Sequence, residues 1–322
     1  MIKRILSILL ALVLVAGLMI PATASDFPFP RRVGRPWHMT PLAIAPRFIL
    51  PSVMQAGFRQ TSLLILYQGE LVHESYARGM CADTPHVAFS VTKSVLSALT
   101  GIAIMHGYID SVDQFVHSFF PEAGIDDARK YDMTVEHLLL MTSGLQANAF
   151  PTSASWRTSD DAGLYNFLVP QAFAPGERFQ YCSAANTQTL VGVIERATGQ
   201  NLLEFAQRHL FGPLGMTSVH WLTTACGSPI GGFGIYMTPR DMLRFGYLYL
   251  RDGRWQGRRI LPTGWVEASR AESPDNPMSY GYMWWGNARD RRLGGSMEAR
   301  GFRGQFVTVY HEADLVVVRT GG

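Results

Sequence analysis

Lysine is scarce in this chain. Only three of its 28 Lys and Arg residues are Lys, at positions 3, 93 and 130. An Arg guanidinium stays charged in a protein, whereas a buried Lys amine can lose its proton near neutral pH. A Lys in a chain that uses Arg almost everywhere is therefore a candidate for a role that Arg cannot perform. This argument singles out Lys93.

Cysteine is also rare, and metal-binding motifs are missing. The sequence contains only Cys81, Cys182 and Cys226. An exported chain could form one disulfide from them and would keep one thiol, and the sequence does not decide which pair forms. No C-x-x-C, H-x-H or H-E-x-x-H motif occurs, and the nine His are scattered. We therefore expect neither a metal ion nor a cofactor.

Charged residues make up only 16% of the 322 residues, and the net charge is +3. No basic run is longer than a pair such as Arg31-Arg32, so we expect no nucleic-acid partner. The chain has no internal repeat and no low-complexity linker, and 47% of its residues are hydrophobic. This composition is typical of a globular protein whose core is large enough to fold without a disulfide framework.

The N-terminus has the three parts of a secretory leader. Lys3 and Arg4 are basic, Ile5 to Ile20 is apolar, and Ala22-Thr23-Ala24 is an A-x-A cleavage site. We predict cleavage after Ala24 and a periplasmic or secreted protein. The alternative is an uncleaved membrane anchor, because the apolar run nearly reaches spanning length. No later stretch of the chain could span a membrane.

Strand patterns lie near both ends of the chain. The alternation over residues 62–67 and 70–76, with Gln68-Gly69 between, predicts a hairpin. A second hairpin is predicted for 305–310 and 315–318. The sequence therefore predicts an α+β fold with one antiparallel sheet, divided as follows: leader 1–24, wrapping segment 25–60, sheet domain 61–115 and 275–322, and mostly helical domain 116–274.

The middle of the chain shows helix signals. An apolar helix is predicted from Ser90 to His106, and a short one capped by Thr134. Another helix runs from Ala184 to Thr198 and ends at Gly199, and Asn201 can cap the next. Thr238, Pro239 and Asp241 follow the order of an N-cap, a first-turn proline and a first-turn acid. This order predicts a helix that ends at Leu250.

Ser90-Val91-Thr92-Lys93 is the first motif with chemical potential. Residues three apart on a helix share a face, so the Lys93 amine can reach the Ser90 hydroxyl. A neutral Lys can then remove the hydroxyl proton and activate the serine. This is the only S-x-x-K in the chain. The alternative is a helix cap beside a solvated lysine.

Two further segments have candidate roles. Tyr181 stands at a loop–helix junction, where its hydroxyl could exchange protons next to Lys93. Gly301-Phe302 precedes the last hairpin, where glycine allows close backbone approach and an amide could pair with that of Ser90 as an oxyanion hole. Taken alone, Tyr181 could be a core residue and Gly301-Phe302 an ordinary loop.

In this order, the three segments resemble the penicillin-recognising serine hydrolases, especially the branch related to class C β-lactamases. That family has S-x-x-K, then Y-x-[NS], then a K/H-T-G strand at comparable separations. The resemblance runs from about residue 60 to the end and is most similar to 6-aminohexanoate-dimer hydrolases and related esterases. The surrounding phrases that match are residues 88–94, 137–145, 211–216, 231–234, 239–241 and 280–285.

The resemblance implies a β-lactamase/transpeptidase-like fold and a role for each matched residue. Ser90 would be the acylated nucleophile, Lys93 its base, and Tyr181 the proton donor and acceptor. Ser183 occupies the position that contacts substrate and lysine. The amides of Ser90 and Phe302, the latter after Gly301, would form the oxyanion hole.

Two departures from the family pattern stand out. Ala299-Arg300-Gly301 replaces K/H-T-G, so the cationic side chain that helps to hold a β-lactam carboxylate is missing. Arg300 or Arg303 could substitute for it, or be a surface residue. The chain also stops at Gly322, where relatives usually continue into a helix. We expect either that the N-terminal segment covers that face of the sheet or that stability is lower.

These observations predict an exported serine hydrolase that cleaves small amides or esters through an acyl-enzyme. β-Lactamase or D,D-peptidase activity is the alternative, and a non-catalytic binding module of the same fold is the second. Trp284 and Trp285 are expected to line the pocket, with one of the pair facing the core because strand neighbours point oppositely. The expected partner is the small-molecule substrate, and the oligomeric state stays open.

Overall fold

The computed structural model describes residues 20–21, 59–146, 154–270, 279–287 and 294–322. The predicted leader and the wrapping segment 25–60 lie almost entirely outside these residues. The exceptions are Ile20–Pro21 within the predicted leader and residues 59–60. Cleavage after Ala24 and a wrapping role for 25–60 therefore stay predictions.

Strands from both ends of the chain form one antiparallel sheet. In spatial order the strands are β1 Ile20–Pro21, β3 Glu70–Tyr76, β2 Gln60–Tyr67, β12 Leu315–Gly321, β11 Gln305–Tyr310, β10 Ser296–Gly301 and β9 Trp285–Asn287. β12 pairs with β2 along its length, with Val317 opposite Ile65. Strands from the early and the late part of the chain thus meet at the centre of the sheet, and the prediction that both chain ends build it is confirmed.

Both predicted hairpins form. Gln68 and Gly69, which join β2 to β3, both have positive φ (50° and 83°). This is the backbone that a two-residue turn needs to match the twist of its strands. The β11–β12 turn closes through Asp314, whose carbonyl accepts the Gln68 amide at 2.8 Å. The two hairpin turns therefore lie side by side at one end of the sheet.

The helices follow the predicted signals closely. Thr134 and Thr238 accept hydrogen bonds from the amides of His137 and Asp241, and Gly199 ends its helix in the left-handed conformation. The bounds are α1 Val91–Met105, α2 Val135–Leu139, α3 Ala162–Phe167, α4 Ala185–Thr198, α5 Leu202–Ala206, α6 Gly212–Leu214, α7 Pro239–Leu250 and α8 Trp265–Arg270. Short 3₁₀ turns occupy 116–119, 128–132 and 154–157, and a π-helical turn occupies 207–211.

Helix α7 belongs to the sheet, although its residues fall in the stretch 116–274 that we assigned to the helical domain. It packs against β11, β12 and β2. A β-carbon on Gly246 would lie 2.7 Å from the side chains of Val307 and Val316. The helix therefore comes closer to the strands than a residue with a side chain would allow. Helices α1 and α4 complete the main core on the same side.

A small second sheet anchors the start of α1. It contains β4 (His86–Val87), β5 (His220–Trp221) and β6 (Ile235–Met237), in the order β4-β6-β5. The Ala88 amide donates to the Ile235 carbonyl at 2.8 Å, and the Ile235 amide donates to Thr92 Oγ1 at 3.2 Å. A two-stranded ribbon, β7 (Arg254–Trp255) with β8 (Arg258–Arg259), completes the described strands.

The structure bears on two points from the sequence analysis: whether the cysteines form a disulfide and whether a helix could span a membrane. Cys81, Cys182 and Cys226 all have free thiols, and Cys182 is buried next to Tyr181. The disulfide that the cysteine count allows is therefore not formed. No helix within the described ranges is both long enough and apolar enough to cross a membrane.

Candidate active site

The turn before α1 presents Ser90. The preceding residue, Phe89, has a φ of 47°, which is strained for a side chain without a hydrogen-bonding group. Ser90 occupies the N-cap position of α1 and is half-buried. Its amide donates to no acceptor among the described residues, so it is open to an incoming oxygen. The positive end of the helix lies behind it and favours negative charge at this point.

Lys93 is almost fully buried one turn into α1, with 1% of its surface exposed. Its amine Nζ donates to Ser90 Oγ at 3.0 Å and to the carbonyl oxygen of Gly232 at 2.6 Å. A β-carbon on Gly232 would lie 2.0 Å from the Ser183 carbonyl oxygen. Only glycine fits there, and it brings the backbone that fixes the amine against the segment after Tyr181.

Tyr181 lies across the amine from Ser90. Its ring centroid is 5.0 Å from Lys93 Nζ. The loop that carries it is fixed by the Gln180 amide, which donates to the Met141 carbonyl at 2.8 Å, and continues into α4. The structure thus brings together the serine, the lysine and the tyrosine that the sequence singled out, from two separate parts of the chain.

Ser183 lies two residues after Tyr181, just before α4. Its carbonyl accepts the Thr187 hydroxyl at 3.0 Å, which stabilises the first turn of α4. Its own hydroxyl has no hydrogen-bond partner in the described part of the chain and is half-exposed. A role for this hydroxyl in binding substrate stays a prediction.

Gly301 and Phe302 approach the serine from the end of β10. A β-carbon on Gly301 would lie 2.3 Å from the Ala88 carbonyl oxygen. The Phe302 ring, 58% exposed, packs edge-on against Phe89 with centroids 5.6 Å apart. The sequence predicted close approach of this glycine to a ligand, whereas the glycine is needed for contact with the turn that holds Ser90. The Phe302 backbone is placed beside that turn.

The adjacent tryptophans point in opposite directions. Trp284 is fully buried and packs on Tyr249 and Phe245, with ring centroids 4.4 and 5.8 Å away. It is a core residue and does not line the cleft, which corrects our expectation for that position. Trp285 is half-buried, and its ring centroid lies 5.5 Å from that of Tyr181. Trp285 is therefore a wall of the site.

The sequence reasoning missed the rest of that wall. Tyr280 and Phe179 lie 4.7 and 6.4 Å from Trp285 between ring centroids, and Tyr280 packs edge-on against Tyr181 at 6.0 Å. Burial and the neighbouring Tyr181 raise the pKa of Tyr280 well above its usual value. Tyr280, which is 1% exposed, is thus a neutral core residue that supports the wall from behind. The sequence held two signals that could have identified these residues. Tyr280 lies in the matching segment 280–285, and Phe179 is two residues before Tyr181.

The donor set of the site favours acyl transfer. It combines a hydroxyl, an amine, a phenol and backbone amides, which are the groups of a serine nucleophile with a base and an oxyanion hole. Within the described residues there is no group of three or more His, Cys, Asp or Glu side chains that could hold a metal ion.

The chain is similar to known proteins in sequence and in fold. The chain is 29% identical over 286 residues to the 6-aminohexanoate-dimer hydrolase of Paenarthrobacter ureafaciens, covering 80% of this chain and 71% of that one. Among solved structures, it superposes with a TM-score of 0.70 on a protein from Bacteroides dorei assigned as a β-lactamase (22% identity, 89% and 91% coverage). With EstCE1, a hydrolase with promiscuous acyltransferase activity, the TM-score is 0.68 (16% identity, 86% and 92% coverage).

The family model described as "Beta-lactamase" matches residues 47–320, which is most of the chain. The two solved structures share the α+β fold of this chain, with an antiparallel sheet and packed helices. Both the predicted resemblance and the predicted fold class are thereby confirmed. The chain belongs to the beta-lactamase family, the hydrolases of the β-lactamase/transpeptidase-like fold.

Proposed function

We propose that this protein is a serine hydrolase that cleaves small amides or esters through an acyl-enzyme on Ser90. One observation carries the proposal: the buried amine of Lys93 lies 3.0 Å from Ser90 Oγ. The Gly232 carbonyl holds one N–H of that amine, which leaves the nitrogen lone pair of the neutral form free to turn toward the serine. A base in this position is what a serine needs to become a nucleophile.

Acylation is a proton relay among three side chains. Ser90 Oγ attacks the substrate carbonyl carbon while its proton passes to Lys93 Nζ. The oxyanion that forms accepts hydrogen bonds from the amides of Ser90 and Phe302. Tyr181 gives its hydroxyl proton to the leaving nitrogen or oxygen as the C–N or C–O bond breaks, and it regains a proton from the lysine.

Deacylation repeats these steps with water. Tyr181 passes its hydroxyl proton to Lys93 as it accepts a proton from the water molecule, whose oxygen attacks the acyl carbon. The bond between that carbon and Ser90 Oγ breaks, and the serine oxygen recovers its proton from the lysine. The product is a carboxylic acid, and all three side chains return to their starting protonation states.

The substrate class is proposed from the lining of the cleft and the names of relatives. The aromatic rings of Phe179 and Trp285 offer an apolar wall next to Tyr181, and the buried ring of Tyr280 packs behind them. Relatives are named as hydrolases of an amide dimer and as esterases or acyltransferases. Ala299, at the first position of the K/H-T-G strand, is fully buried and brings no charge to the cleft. This ranks β-lactam turnover below amide and ester hydrolysis.

The first test is hydrolysis of p-nitrophenyl butyrate and of the linear 6-aminohexanoate dimer by the purified protein. Ser90→Ala should abolish both activities, and the matched variant Ser118→Ala, at an exposed serine far from the site, should retain them. Both variants should melt at the temperature of the unaltered protein. An unchanged hydrolysis rate in Ser90→Ala would overturn the proposal. Ligand binding and a biological effect that Ser90→Ala leaves unchanged would favour a binding module.

The β-lactam alternative is tested by intact-protein mass after mixing with a penicillin, together with an assay for hydrolysed drug. We expect neither an adduct nor drug hydrolysis. A lasting adduct mapped to Ser90 would favour a D,D-peptidase. Hydrolysed drug would favour a β-lactamase.

We also propose that the protein is exported and cleaved after Ala24. The sequence of the leader supports this proposal. N-terminal sequencing of the protein from a periplasmic or culture fraction should begin at Ser25. An intact Met1 in a membrane fraction would show an uncleaved anchor instead.

A further inference from the structure

The carboxylate of Glu298 is buried beside the guanidinium of Arg300. Arg300 occupies the threonine position of the K/H-T-G motif. Glu298 and Arg300 lie two residues apart on β10 and therefore on one face of the strand. Glu298 is 5% exposed. Its oxygens accept hydrogen bonds from Arg300 Nε at 2.6 Å, Asn287 Nδ2 at 3.0 Å and Ser296 Oγ at 3.1 Å. The carboxylate is thus held from two neighbouring strand segments and is fixed in place.

Arg300 belongs to the wall of the active site. Its guanidinium carbon lies 5.4 Å from the centroid of the Trp285 ring, which in turn lies 5.5 Å from that of Tyr181. The Tyr181 ring is 5.0 Å from Lys93 Nζ. The Arg300 side chain is 37% exposed. A ligand that extends from Ser90 along the tryptophan would approach this guanidinium.

The ion pair decides what the guanidinium can offer to such a ligand. Nε already donates to Glu298, and the opposite charge lies next to it in a nearly buried position. A ligand carboxylate would meet both charges of the pair, so the attraction of Arg300 is largely offset by repulsion from Glu298. The guanidinium lies over the Trp285 ring, and its planar, weakly hydrated surface can contact an uncharged chain.

We infer that Glu298 is a positioning residue that sets substrate charge preference. It holds Arg300 over the Trp285 ring, so that the cleft favours uncharged acyl chains over chains that end in a carboxylate. Removing the charge of Glu298 frees Arg300 to bind a substrate carboxylate. This inference rests on the proposed hydrolase activity and goes beyond it, because it assigns the specificity of the site to a residue that does not touch the reacting atoms.

The test compares two esters of similar length, p-nitrophenyl hexanoate and the mono-p-nitrophenyl ester of glutaric acid. For Glu298→Gln we expect the ratio of kcat/KM for the charged ester to that for the neutral ester to rise about tenfold or more, as one unscreened charge contact allows. The rise should appear mainly in KM and should shrink in about 1 M salt, where the Debye length is near 3 Å. The matched control Glu267→Gln, exposed on α8, removes the same charge and should leave the ratio unchanged.

The double variant Glu298→Gln/Arg300→Gln should return the ratio to that of the unaltered protein. Arg300→Gln alone supplies an independent readout, should Glu298→Gln fail to fold. It should lower the ratio, because the Glu298 carboxylate remains and its repulsion of the charged ester is no longer offset by the guanidinium. An unchanged ratio in Arg300→Gln, or a ratio in the double variant about tenfold below that of the unaltered protein, would overturn the inference.

Failure of this inference and failure of the proposed function look different. An unchanged ester ratio in folded Glu298→Gln, with activity that still depends on Ser90, would overturn the charge-preference role and leave the hydrolase standing. Activity on both esters that survives Ser90→Ala would overturn the proposed mechanism. Absence of any activity in the unaltered protein would remove both.

Discussion

At the scale of single residues, the surroundings of the Lys93 amine decide what chemistry the site can perform. The amine is buried, and it donates to one hydroxyl and one carbonyl. An ammonium in this position would stabilise charge, whereas a neutral amine can also remove a proton. The guanidinium carbon of Arg300 lies 5.4 Å from the centroid of the Trp285 ring. Because a guanidinium keeps its charge, Arg300 cannot act as a base.

Replacing Lys93 by Arg separates these two roles. The variant keeps a positive charge next to Ser90 but has no group that can act as a base. We expect kcat/KM for p-nitrophenyl butyrate to fall by about 10²- to 10⁴-fold, the usual contribution of a general base. The fall should appear in kcat, and thermal melting should check that the variant is folded. Activity within about tenfold of the unaltered protein would contradict the role of the amine as the base.

Gly301 gives a second prediction at this scale. A β-carbon there would lie 2.3 Å from the Ala88 carbonyl, so Gly301→Ala must push the end of β10 away from the serine turn. Because the Phe302 amide follows directly, we expect a loss of about 10²-fold in kcat, similar to the loss of one oxyanion-hole donor.

Gly124→Ala is the matched control for this change. Nothing lies within 4 Å of its added β-carbon, and the variant should keep full activity. Equal activity of the Gly301→Ala and Gly124→Ala variants would show that the close approach at Gly301 does not position the oxyanion hole.

At the scale of elements, three segments that are distant in sequence meet at the serine: the start of α1, the loop before α4 and the end of β10. Each is anchored from behind by backbone hydrogen bonds, such as Ala88 to Ile235 and Gln180 to Met141. Helix α7 supports the strands from one face through the close contact at Gly246. Site geometry therefore depends on helix–sheet packing some distance away from the chemistry.

The α7 contact is testable by a double-mutant cycle. Gly246→Ala improves helix propensity but places a methyl group 2.7 Å from the side chains of Val307 and Val316. We expect overpacking to dominate and the free energy of unfolding to fall by about 1–3 kcal/mol. In urea unfolding, adding Val316→Ala should recover part of this loss. Strict additivity of the two changes would contradict the close contact.

At the scale of the whole molecule, buried histidines make stability depend on pH. Burial is the main cause of a lowered pKa at His73, His86, His137 and His209. The largest effect is at His311, where burial and then the positive charge of Arg270 lower the pKa from 6.5 to about 4. His311 joins the β11–β12 turn to α7, since its Nε2 lies 3.1 Å from the Tyr249 carbonyl.

This shift predicts a window of acid sensitivity. Between pH 6.5 and about 4 the unfolded chain binds a proton at His311 that the folded protein does not bind. The contribution of His311 to the free energy of unfolding is therefore complete above pH 6.5 and is lost as pH falls toward 4.

Urea unfolding across this window tests the prediction with His311→Gln, which keeps a group able to donate to the Tyr249 carbonyl. The variant should show a shallower fall in stability than the unaltered protein as the solution is acidified. Parallel stability curves for the two proteins would show that His311 does not titrate between its folded and unfolded pKa values.

Local signals in the sequence accounted for most elements and for the three central residues. Hairpin turns, helix caps and the spacing of Ser90 and Lys93 depend on neighbours within about four positions, and such short-range rules can be read without a fold. For Trp284 and Trp285, the sequence predicted only that one of the two rings faces the core. The core packing of Phe245 and Tyr249 decided which one faces inward.

The sequence by itself determined the fold class, the family and the candidate nucleophile, because each is encoded in short patterns in a fixed order along the chain. The tertiary structure alone decided that the Gly232 carbonyl holds the lysine, that Phe179 joins the wall with Tyr280 behind it, and that Glu298 engages Arg300. The physical reason is that such contacts join strands and loops far apart in sequence. Their distances are set by how the sheet, α1 and α7 pack together, which no local pattern records.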